Sequence, residues 1–319
     1  MSISELTMTA YSILELLSSR FGDEVKTNVV LAPYTSARIG GRADILISAE
    51  SADSLAAIVE LLWQEGLEPV ILGGGSNVLV SDKGIRGVTV INRAKAVRIE
   101  EGSAPTVWAE SGVVFSNLAN RCALKGLAGL EWAGTVPGTI GGAVYGNAGA
   151  FGGDMAGSLK WAEVLTRAGR ERWPVESMGY GYRTSVLKRR ERSGIVLAAE
   201  MKISTSTREN VTARMAVFGE QRKATQPPGA SMGSMFKNPP GDKAGRLIEA
   251  AGLKGRRVGN VEISPVHGNF FVNHGRANAS DVRTLIEIAQ RTVKERLGVA
   301  LELEIELVGE GMELGGLGA

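Results

Sequence analysis

The alternation of apolar and polar positions predicts six helices along the chain. They cover residues 8–21, 51–66, 114–125, 207–223, 244–251 and 279–297. The last helix has the most regular apolar face, formed by Val282, Leu285, Ile286, Ala289 and Val293. In the first helix, Tyr11, Leu14, Leu17 and Phe21 share one face, which predicts that the helix packs on the body of the protein.

Short apolar and alternating runs predict strands between these helices. The predicted strands cover residues 43–48, 69–72, 78–80, 161–166, 194–203, 260–264, 269–273 and 301–308, with further short strands between 85 and 110. The last strand alternates until Val308 and places Glu302, Glu304 and Glu306 on one face. Because strands dominate the middle of the chain, the sequence predicts an α+β fold and not a doubly wound parallel sheet.

Glycine is concentrated in residues 132–151, WAGTVPGTIGGAVYGNAGAF, called here the glycine-rich stretch. Glycine occupies positions 134, 138, 141, 142, 146 and 149. In ordered structure each glycine costs roughly 0.5 to 1 kcal/mol relative to alanine, so six of them indicate close approach by a ligand or another main chain. The alternative is a flexible surface loop, but Trp132, Val136 and Ile140 favour an ordered, partly buried segment.

A second glycine-rich segment, Gly73-Gly-Gly-Ser-Asn77, follows the predicted strand 69–72 and is called the glycine loop. A β-α-β unit that ends on a glycine run can present several backbone N–H groups to a pyrophosphate. The loop lacks the Gly-Lys-[Ser/Thr] of a Walker loop, and a strand follows it where a dinucleotide fingerprint would open a helix. A plain tight turn is the alternative for this segment alone. Two such segments in one chain favour a large phosphate-bearing cofactor.

Length and composition limit the classes of protein to which the chain can belong. Its 319 residues exceed what one hydrophobic core usually serves, and Gln226-Pro-Pro-Gly229 predicts a domain boundary. The net charge of +2 gives no reason to expect nucleic acid or an anionic membrane as a partner. The single cysteine, Cys122, excludes an internal disulfide framework and a cysteine-built metal site, and we expect a buried structural thiol.

The sequence shows no targeting or membrane segment. Glu15 interrupts the only hydrophobic stretch near the N-terminus, and no apolar run approaches the roughly 20 residues that span a bilayer. We therefore expect a cytoplasmic enzyme of bacterial type, monomeric and without a bound metal.

Eight short motifs lie between residues 33 and 310. In chain order they are Thr35-Ser-Ala-Arg-Ile-Gly-Gly41, Gly73-Gly-Gly-Ser-Asn77, Ala133-Gly-Thr-Val-Pro-Gly-Thr-Ile-Gly-Gly-Ala-Val144 with Asn147-Ala-Gly149, Tyr182-Arg-Thr-Ser185, Gly233-Ser-Met-Phe-Lys-Asn-Pro239, Ala250-Ala-Gly-Leu-Lys-Gly255, His267-Gly-Asn-Phe270 and Leu301-Glu-Leu-Glu304. In this order and combination they resemble the UDP-N-acetylenolpyruvoylglucosamine reductases, a flavoenzyme family often called MurB.

The resemblance implies a two-subdomain FAD-binding fold of the vanillyl-alcohol-oxidase (PCMH) type, followed by an α+β substrate-binding domain. The expected domains are residues 1–92 and 93–225 for FAD and 226–310 for the substrate, with a final strand that returns to the flavin site and a disordered tail at 311–319. The implied reaction passes hydride from NADPH through FAD to the enolpyruvyl ether of a UDP-sugar, giving UDP-N-acetylmuramate for peptidoglycan.

Three residues match the family's catalytic positions. Arg183 matches an arginine whose guanidinium suits a carboxylate that gains charge in the transition state. Ser234 matches the serine proposed to protonate the anionic intermediate, although a lone serine in a loop is usually a turn or cap residue. Glu304 matches a glutamate that polarises the substrate carboxylate or assists protonation. Spacing alone does not choose it over Glu302 and Glu306.

The resemblance also assigns binding residues. Substrate contacts are expected from Tyr182, Lys237 and Asn238. FAD contacts are expected from Arg38, Gly73, Gly74, Gly75, Ser76, Asn77, Gly134, Thr135, Pro137, Gly138, Thr139, Gly141, Gly142 and Ala143. Neither of the two histidines lies in these loops, so FAD is expected to be held without a covalent link.

The chain departs from the family pattern at Leu303, where proline is common. No insertion near Arg183 carries the substrate-clamping tyrosine of one branch of the family, so the chain resembles the shorter branch. The alternatives are another FAD-dependent oxidoreductase on the same scaffold and a non-catalytic nucleotide-sugar-binding relative. The first would require a linking histidine or cysteine near the N-terminal loops, and the intact Arg183, Ser234 and Glu304 disfavour the second.

Overall fold

The structure, a computed structural model, describes residues 3–312, with side chains from Ser12 onward. The predicted tail beyond Met312 lies outside the described residues. The helices, in chain order, are α1 (Ile3–Phe21), α2 (Ala52–Gln64), α3 (Phe115–Leu124), α4 (Ile140–Gly146), α5 (Met155–Ser158), α6 (Arg208–Thr225), α7 (Ala244–Ala250) and α8 (Ala279–Leu297). The strands are β1 (Val25–Val30), β2 (Arg42–Ala49), β3 (Val70–Leu72), β4 (Val78–Val80), β5 (Ile85–Asn92), β6 (Val97–Glu100), β7 (Thr106–Glu110), β8 (Leu127–Ala128), β9 (Gly149–Ala150), β10 (Gly153–Asp154), β11 (Leu159–Thr166), β12 (Gly169–Pro174), β13 (Ile195–Lys202), β14 (Ser204–Thr205), β15 (Arg257–Val258), β16 (Val261–Ile263), β17 (Phe271–Asn273) and β18 (Glu306–Val308).

The six predicted helices are all present. Helix α8 begins and ends at the predicted residues, and its whole predicted inner face is buried. The predicted face of α1 is partly wrong: Ile13 and Leu17 are buried, whereas Leu14 is only half-buried, and the side chain of Tyr11 lies outside the described part. None of the described helices has the length and apolar composition that crossing a membrane requires.

The chain forms two compact units. The first comprises Met1–Ser48, Gln64–Ile91 and Gly229–Ala319, and the second comprises Ala49–Trp63 and Asn92–Pro228. The first unit is therefore assembled from both ends of the chain, and the second is nearly continuous in sequence.

The first unit contains a four-stranded sheet in the order β1-β2-β5-β3. Strands β1 and β2 are antiparallel, β3 and β5 are parallel, and β4 pairs separately and in parallel with β18. A third, antiparallel sheet consists of β15, β16 and β17. The core of this unit includes Met232, Met235 and Phe236, each at most 1% exposed, together with the inner faces of α7 and α8. The two methionines that flank Ser234 are thus core residues.

The second unit contains a five-stranded antiparallel sheet in the order β12-β11-β13-β7-β6. Its core includes the rings of Phe115 and Trp132, which meet edge to face with 5.2 Å between their centroids. Cys122 is fully buried in this core, and burial raises the pKa of its thiol to about 11. The expectation of a buried structural thiol is confirmed.

The prediction of one strand over residues 301–308 is wrong for most of that length. Only β18 has strand geometry. Before it, the N–H of Glu304 donates to the carbonyl of Met235 at 2.9 Å, and Leu303 forms an isolated bridge with Phe236. The segment changes its partner from residues 235–237 to β4, so its three glutamates do not share one regular face.

Candidate active site

The glycine loop lies between β3 and β4 in the first unit. Gly75 has φ +57, and a Cβ at this position would lie 2.2 Å from the carbonyl oxygen of Tyr34. The carbonyl of Gly75 accepts a hydrogen bond from the N–H of Ser36 at 3.0 Å. Neighbouring main chain therefore requires glycine at position 75. Of the other residues of the loop, Gly74 is exposed, and Gly73, Ser76 and Asn77 are half-buried.

Arg38 lies in the turn 35–41, beside the glycine loop. Its backbone is left-handed, with φ +57, and the residue is exposed. The buried hydroxyl of Thr35 accepts the N–H four residues further on at 3.1 Å, and Nδ2 of Asn273 donates to the carbonyl of Ala37 at 2.8 Å. A non-glycine residue in this conformation costs roughly 1–2 kcal/mol, so these two side chains hold a strained turn. The sequence did not point to Asn273.

Ser234 and Glu304 are brought close in the structure by the main chain of Met235. The Met235 carbonyl, adjacent in sequence to Ser234, accepts the N–H of Glu304 at 2.9 Å. Asn77, at the end of the glycine loop, donates its Nδ2 proton to the Glu304 carbonyl at 3.1 Å. Three segments that are distant in sequence, each with a predicted site residue, therefore meet within the first unit.

Asn269 fixes the loop 234–237. Its side chain accepts the N–H of Phe236 at 2.9 Å and donates to the Phe236 carbonyl at 2.8 Å, and its own carbonyl accepts the N–H of Met235 at 2.9 Å. The N–H of Asn269 donates to Nδ1 of His267 at 3.1 Å, and burial lowers the pKa of that imidazole. The neutral ring is the form that can accept this bond. Residues 267–270 thus support the loop that carries Ser234.

Lys237 and Asn238, the predicted substrate residues of this loop, both have partners within the protein. Nζ of Lys237 lies 3.3 Å from Oε2 of Glu302, whose side chain is 76% exposed. Such exposed pairs contribute about 0–1 kcal/mol, so Lys237 can turn to a phosphate at little cost. Oδ1 of Asn238 accepts the N–H of Ala244, the first residue of α7, at 3.0 Å. The Asn238 side chain therefore also stabilises a helix start.

The glycine-rich stretch of the second unit is ordered and partly buried, as predicted, and contains α4. Packing within the protein accounts for Gly141 and Gly149, because a Cβ would lie 3.0 Å from Cβ of Ser111 at the first and 2.9 Å from the carbonyl oxygen of Gly153 at the second. At Gly134 the nearest atom to a Cβ would be Cε of Met215, at 2.3 Å, which is the end of a flexible side chain. Gly142 differs, since it is exposed and the nearest atom to a Cβ there would be 4.0 Å away. Packing within the protein does not require glycine at position 142.

The other predicted FAD residues of the second unit lie just before α4 or within it. Gly138 adopts φ +100, a conformation that favours glycine. Pro137 is exposed, whereas Thr139 and Ala143 are buried. The hydroxyl of Thr135 is buried and has no hydrogen-bond partner among the described residues. Buried polar atoms are rarely left unpaired, so this hydroxyl calls for a partner from a ligand or water.

Arg183 lies at the tip of a tight turn in the second unit. The N–H groups of Gly181 and Thr184 each donate to the carbonyl of the other residue at 3.2 Å. Nη2 of Arg183 donates to the carbonyl of Gly149 at 2.8 Å, and the guanidinium lies over the ring of Tyr182, 5.3 Å from its centroid. Tyr182 is 53% exposed. The predicted catalytic arginine and the predicted substrate tyrosine are thus neighbours at the surface of the unit.

Side chains on both sides of this turn bind the end of α4. Tyr180 donates its hydroxyl proton to the carbonyl of Val144 at 2.9 Å, and Ser185 donates to the carbonyl of Tyr145 at 2.6 Å. Ser185 is fully buried, and burial raises the pKa of Tyr180. These two hydroxyls therefore attach the turn to the glycine-rich stretch, a structural role for which the sequence gave no signal.

A cavity of about 420 Å³ lies elsewhere in the second unit, on the outer face of the five-stranded sheet. Guanidinium groups cover the two tryptophans that line it, Arg98 over Trp108 at 4.7 Å and Arg172 over Trp161 at 4.0 Å. None of the predicted site residues, all of which the structure describes, lines this cavity. We interpret it as a sheet surface stabilised by its own cation–π pairs.

Two family models match the chain. One, for an FAD binding domain, covers residues 43–174, and the other, for the C-terminal domain of UDP-N-acetylenolpyruvoylglucosamine reductase, covers residues 224–308. With the mixed helices and strands, they define an FAD-dependent oxidoreductase. With these elements, the two models confirm the predicted α+β fold, with an FAD-binding domain followed by the C-terminal domain of the reductase family.

Individual relatives narrow the class to a family. The chain is 46% identical over 281 residues to the UDP-N-acetylenolpyruvoylglucosamine reductase of Rubrobacter xylanophilus, covering 88% of this chain and 94% of that protein. It is 43% identical over 290 residues to the reductase of Chloroflexus aggregans, covering 89% and 97%. The crystal structure of MurB from Thermus caldophilus has a TM-score of 0.75 at 37% identity, over 88% of this chain and 97% of that chain. The chain belongs to the UDP-N-acetylenolpyruvoylglucosamine reductase family.

Proposed function

We propose that the chain reduces the enolpyruvyl ether of UDP-N-acetylglucosamine enolpyruvate to UDP-N-acetylmuramate, with NADPH as the reductant. Family membership and the FAD-binding domain support a flavin-dependent reductase that acts on a UDP-sugar. The observation that carries the proposal is the junction at Met235, which links the segments of Ser234, Glu304 and the glycine loop by hydrogen bonds. The main-chain segments that carry the Ser234 hydroxyl and the Glu304 carboxylate meet a predicted cofactor loop there.

Bound FAD supplies the hydride transfer, and the protein binds, orients and protonates the substrate. Hydride added at the vinyl terminus leaves negative charge on the neighbouring carbon and its carboxylate. Arg183 binds this carboxylate through its fork of N–H donors and stabilises the charge as it develops. Ser234 donates the proton of its hydroxyl to the carbanionic carbon, which is basic enough to accept from a weak acid. Glu304 polarises the carboxylate or assists this protonation.

The described residues fit a bound FAD. Gly142 offers exposed main chain with room around it, and the buried hydroxyl of Thr135 has no partner in the described part of the chain. Arg38 is exposed and lies on a turn that the side chains of two other residues stabilise by hydrogen bonds. Such features suit close approach by a phosphate-bearing group. Both histidines are hydrogen-bonded within the protein, and we propose that FAD is held without a covalent link.

Replacing Gly142 with alanine is expected to weaken FAD binding about tenfold or more, while the apoprotein stays folded. The added methyl meets no protein atom closer than 4.0 Å, and alanine is favoured over glycine in a helix by about 1 kcal/mol. A loss of about 1.4 kcal/mol in contact with the cofactor corresponds to the tenfold effect. Fluorescence titration with FAD and a thermal melt of the apoprotein measure the two quantities.

The matched control for this prediction is Gly146→Ala. Gly146 lies on the same helix, has no atom within 4 Å of the added position and is not a predicted FAD residue. The Gly146→Ala variant should stabilise the helix to the same extent and should bind FAD with unchanged affinity. Equal affinities in the two variants would contradict a cofactor contact at Gly142.

One anaerobic experiment tests the proposed reaction. The purified holoprotein is reduced with NADPH, UDP-N-acetylglucosamine enolpyruvate is added, and the flavin absorbance is followed. We expect stoichiometric reoxidation in the absence of oxygen. A flavin that is reduced but never reoxidised would contradict the substrate, and a flavin that NADPH does not reduce would contradict the reductant.

We further propose that residues 1–92 and 93–225 bind FAD and that residues 226–310 bind the UDP-sugar. The match of the reductase C-terminal domain to residues 224–308 supports the third range. The proposed substrate contacts are Tyr182, Lys237 and Asn238. The enzyme acts as a monomer in the cytoplasm, because NADPH and nucleotide-sugars are available in that compartment. The net charge of +2 supports the absence of a nucleic-acid partner.

A further inference from the structure

The backbone of Arg183 is strained. The residue occupies the second position of the two-residue turn between Gly181 and Thr184 and has φ +56. Glycine or asparagine is usual where a turn requires positive φ, and another residue there costs roughly 1–2 kcal/mol. Strain of this kind persists only where the surrounding structure holds it in place.

The side chain of Asn147 stabilises this turn by a hydrogen bond. Its Nδ2 donates to the carbonyl of Gly181 at 2.9 Å, the same carbonyl that accepts the N–H of Thr184. Its Oδ1 accepts the N–H of Ala156 at 2.9 Å. Asn147 is 5% exposed, so both ends of its carboxamide are used inside the protein. The Asn147 side chain thus links the Gly181 carbonyl, which closes the turn, to the segment that contains Ala156.

The backbone of the turn and the guanidinium of Arg183 are attached to the same short piece of chain. Asn147 binds the turn, and two residues later the carbonyl of Gly149 accepts Nη2 of Arg183 at 2.8 Å. Asn147 itself is left-handed, with φ +48, and ends α4. A shift of the turn relative to residues 147–149 would therefore also change the position of the Arg183 guanidinium relative to the Gly149 carbonyl.

We propose that Asn147 is the positioning residue for Arg183: its carboxamide locks the turn so that the guanidinium is presented in the orientation that the substrate carboxylate requires. This inference rests on the proposed function of Arg183. Asn147 does not touch the substrate and acts only through the arginine. A misplacement of about 1 Å in a catalytic group can slow a reaction about 100-fold, so the lock has a measurable effect.

The test uses the FAD-loaded enzyme with the substitution Asn147→Gly. Glycine removes both carboxamide bonds and tolerates the left-handed backbone without strain. We expect reoxidation of the reduced flavin by the enolpyruvyl sugar to slow by about 10- to 100-fold, while reduction by NADPH and the affinity for FAD change less than about twofold. The matched control is Asn28→Gly, since Asn28 is also left-handed, with φ +53, is exposed and is not a predicted site residue.

A double-mutant cycle separates positioning from general loosening of the protein. In an Arg183→Lys background, Asn147→Gly should slow reoxidation by less than about twofold, because the group through which it acts is already impaired. An equal loss in both backgrounds, or no loss when Arg183 is intact, overturns the proposal.

Amide hydrogen exchange tests the lock without reference to catalysis. Exchange in the peptide spanning residues 180–186 should be faster in Asn147→Gly, and unchanged exchange would overturn the proposal. Faster exchange together with an Arg183→Lys variant that reoxidises normally would support the lock and instead overturn the proposed role of Arg183. Should Asn147→Gly fail to fold, Asn147→Asp keeps the acceptor for Ala156, loses the donor to Gly181 and is expected to give the same direction of effect.

Discussion

Replacing Ser234 with alanine is expected to slow reoxidation of the reduced flavin by the enolpyruvyl sugar by orders of magnitude, while reduction by NADPH stays nearly intact. The reason is that only the second half-reaction consumes a proton at the substrate carbon, and a positioned acid typically contributes about 100- to 10,000-fold. Hydrogen bonds of the main chain place Ser234, so removing its hydroxyl leaves the loop pairing in place. Stopped-flow absorbance of each half-reaction measures both rates.

Ser231→Ala is the control for this variant. Ser231 is half-buried, lies three residues earlier in the same segment and has no assigned role. It should leave both half-reactions unchanged. If Ser234→Ala slowed both half-reactions equally, the hydroxyl would not be the proton donor.

Replacing Arg183 with lysine is expected to slow the same reoxidation by about 100- to 1,000-fold, the usual effect of losing one preorganised group that stabilises developing charge. Lysine keeps the positive charge, but it cannot present two parallel N–H donors to a carboxylate. Lysine has no better access than arginine to φ +56, so the turn retains its strain and its hydrogen bond from Asn147. Single-turnover rates at saturating substrate isolate the effect on chemistry from the effect on binding.

Arg190→Lys provides the comparison. Arg190 is also a left-handed arginine of the second unit, with φ +60, and it is exposed and unassigned. Its variant is expected to reoxidise at the normal rate. Similar rates in the two lysine variants would remove Arg183 from the mechanism.

Local pattern was enough to predict the elements that bury one continuous face. Helix α8 follows from its apolar spacing and from Gly298, which ends it at φ +72. Strand β12 was not predicted. It is an edge strand that contains three consecutive charged residues, Arg170, Glu171 and Arg172, and such a run is typical of a polar loop. Its pairing with β11 is a tertiary contact that no local pattern encodes.

The sequence indicated candidate site residues one by one, but it did not indicate the side chains that support their loops. Asn147, Asn269 and Asn273 are each at most 9% exposed, and each binds main-chain carbonyls of a loop that carries a predicted site residue. In a sequence, asparagine indicates a turn or a cap. The carbonyls it meets here lie between 33 and 236 residues away, so no local pattern announces them.

The positions of the glycines in the sequence likewise did not show which of them leave room for a ligand. Gly141 and Gly142 are adjacent and equivalent in the sequence, yet Ser111 crowds the first and nothing crowds the second. Only the tertiary structure separates a glycine that neighbouring atoms crowd from one that leaves room for a ligand.

The discontinuous first unit has a consequence for the order in which the chain folds. Asn77 of the glycine loop and Glu304 are separated by 227 residues, and β4 pairs with β18 at the far end of the chain. Contacts of such long range form late, because a large loop has to close first. The second unit can fold during synthesis, whereas the loop that carries Asn77 waits for nearly the whole chain. An incomplete polypeptide therefore lacks these contacts of the glycine loop, and we expect this proposed FAD contact to be complete only after residue 308 has been added.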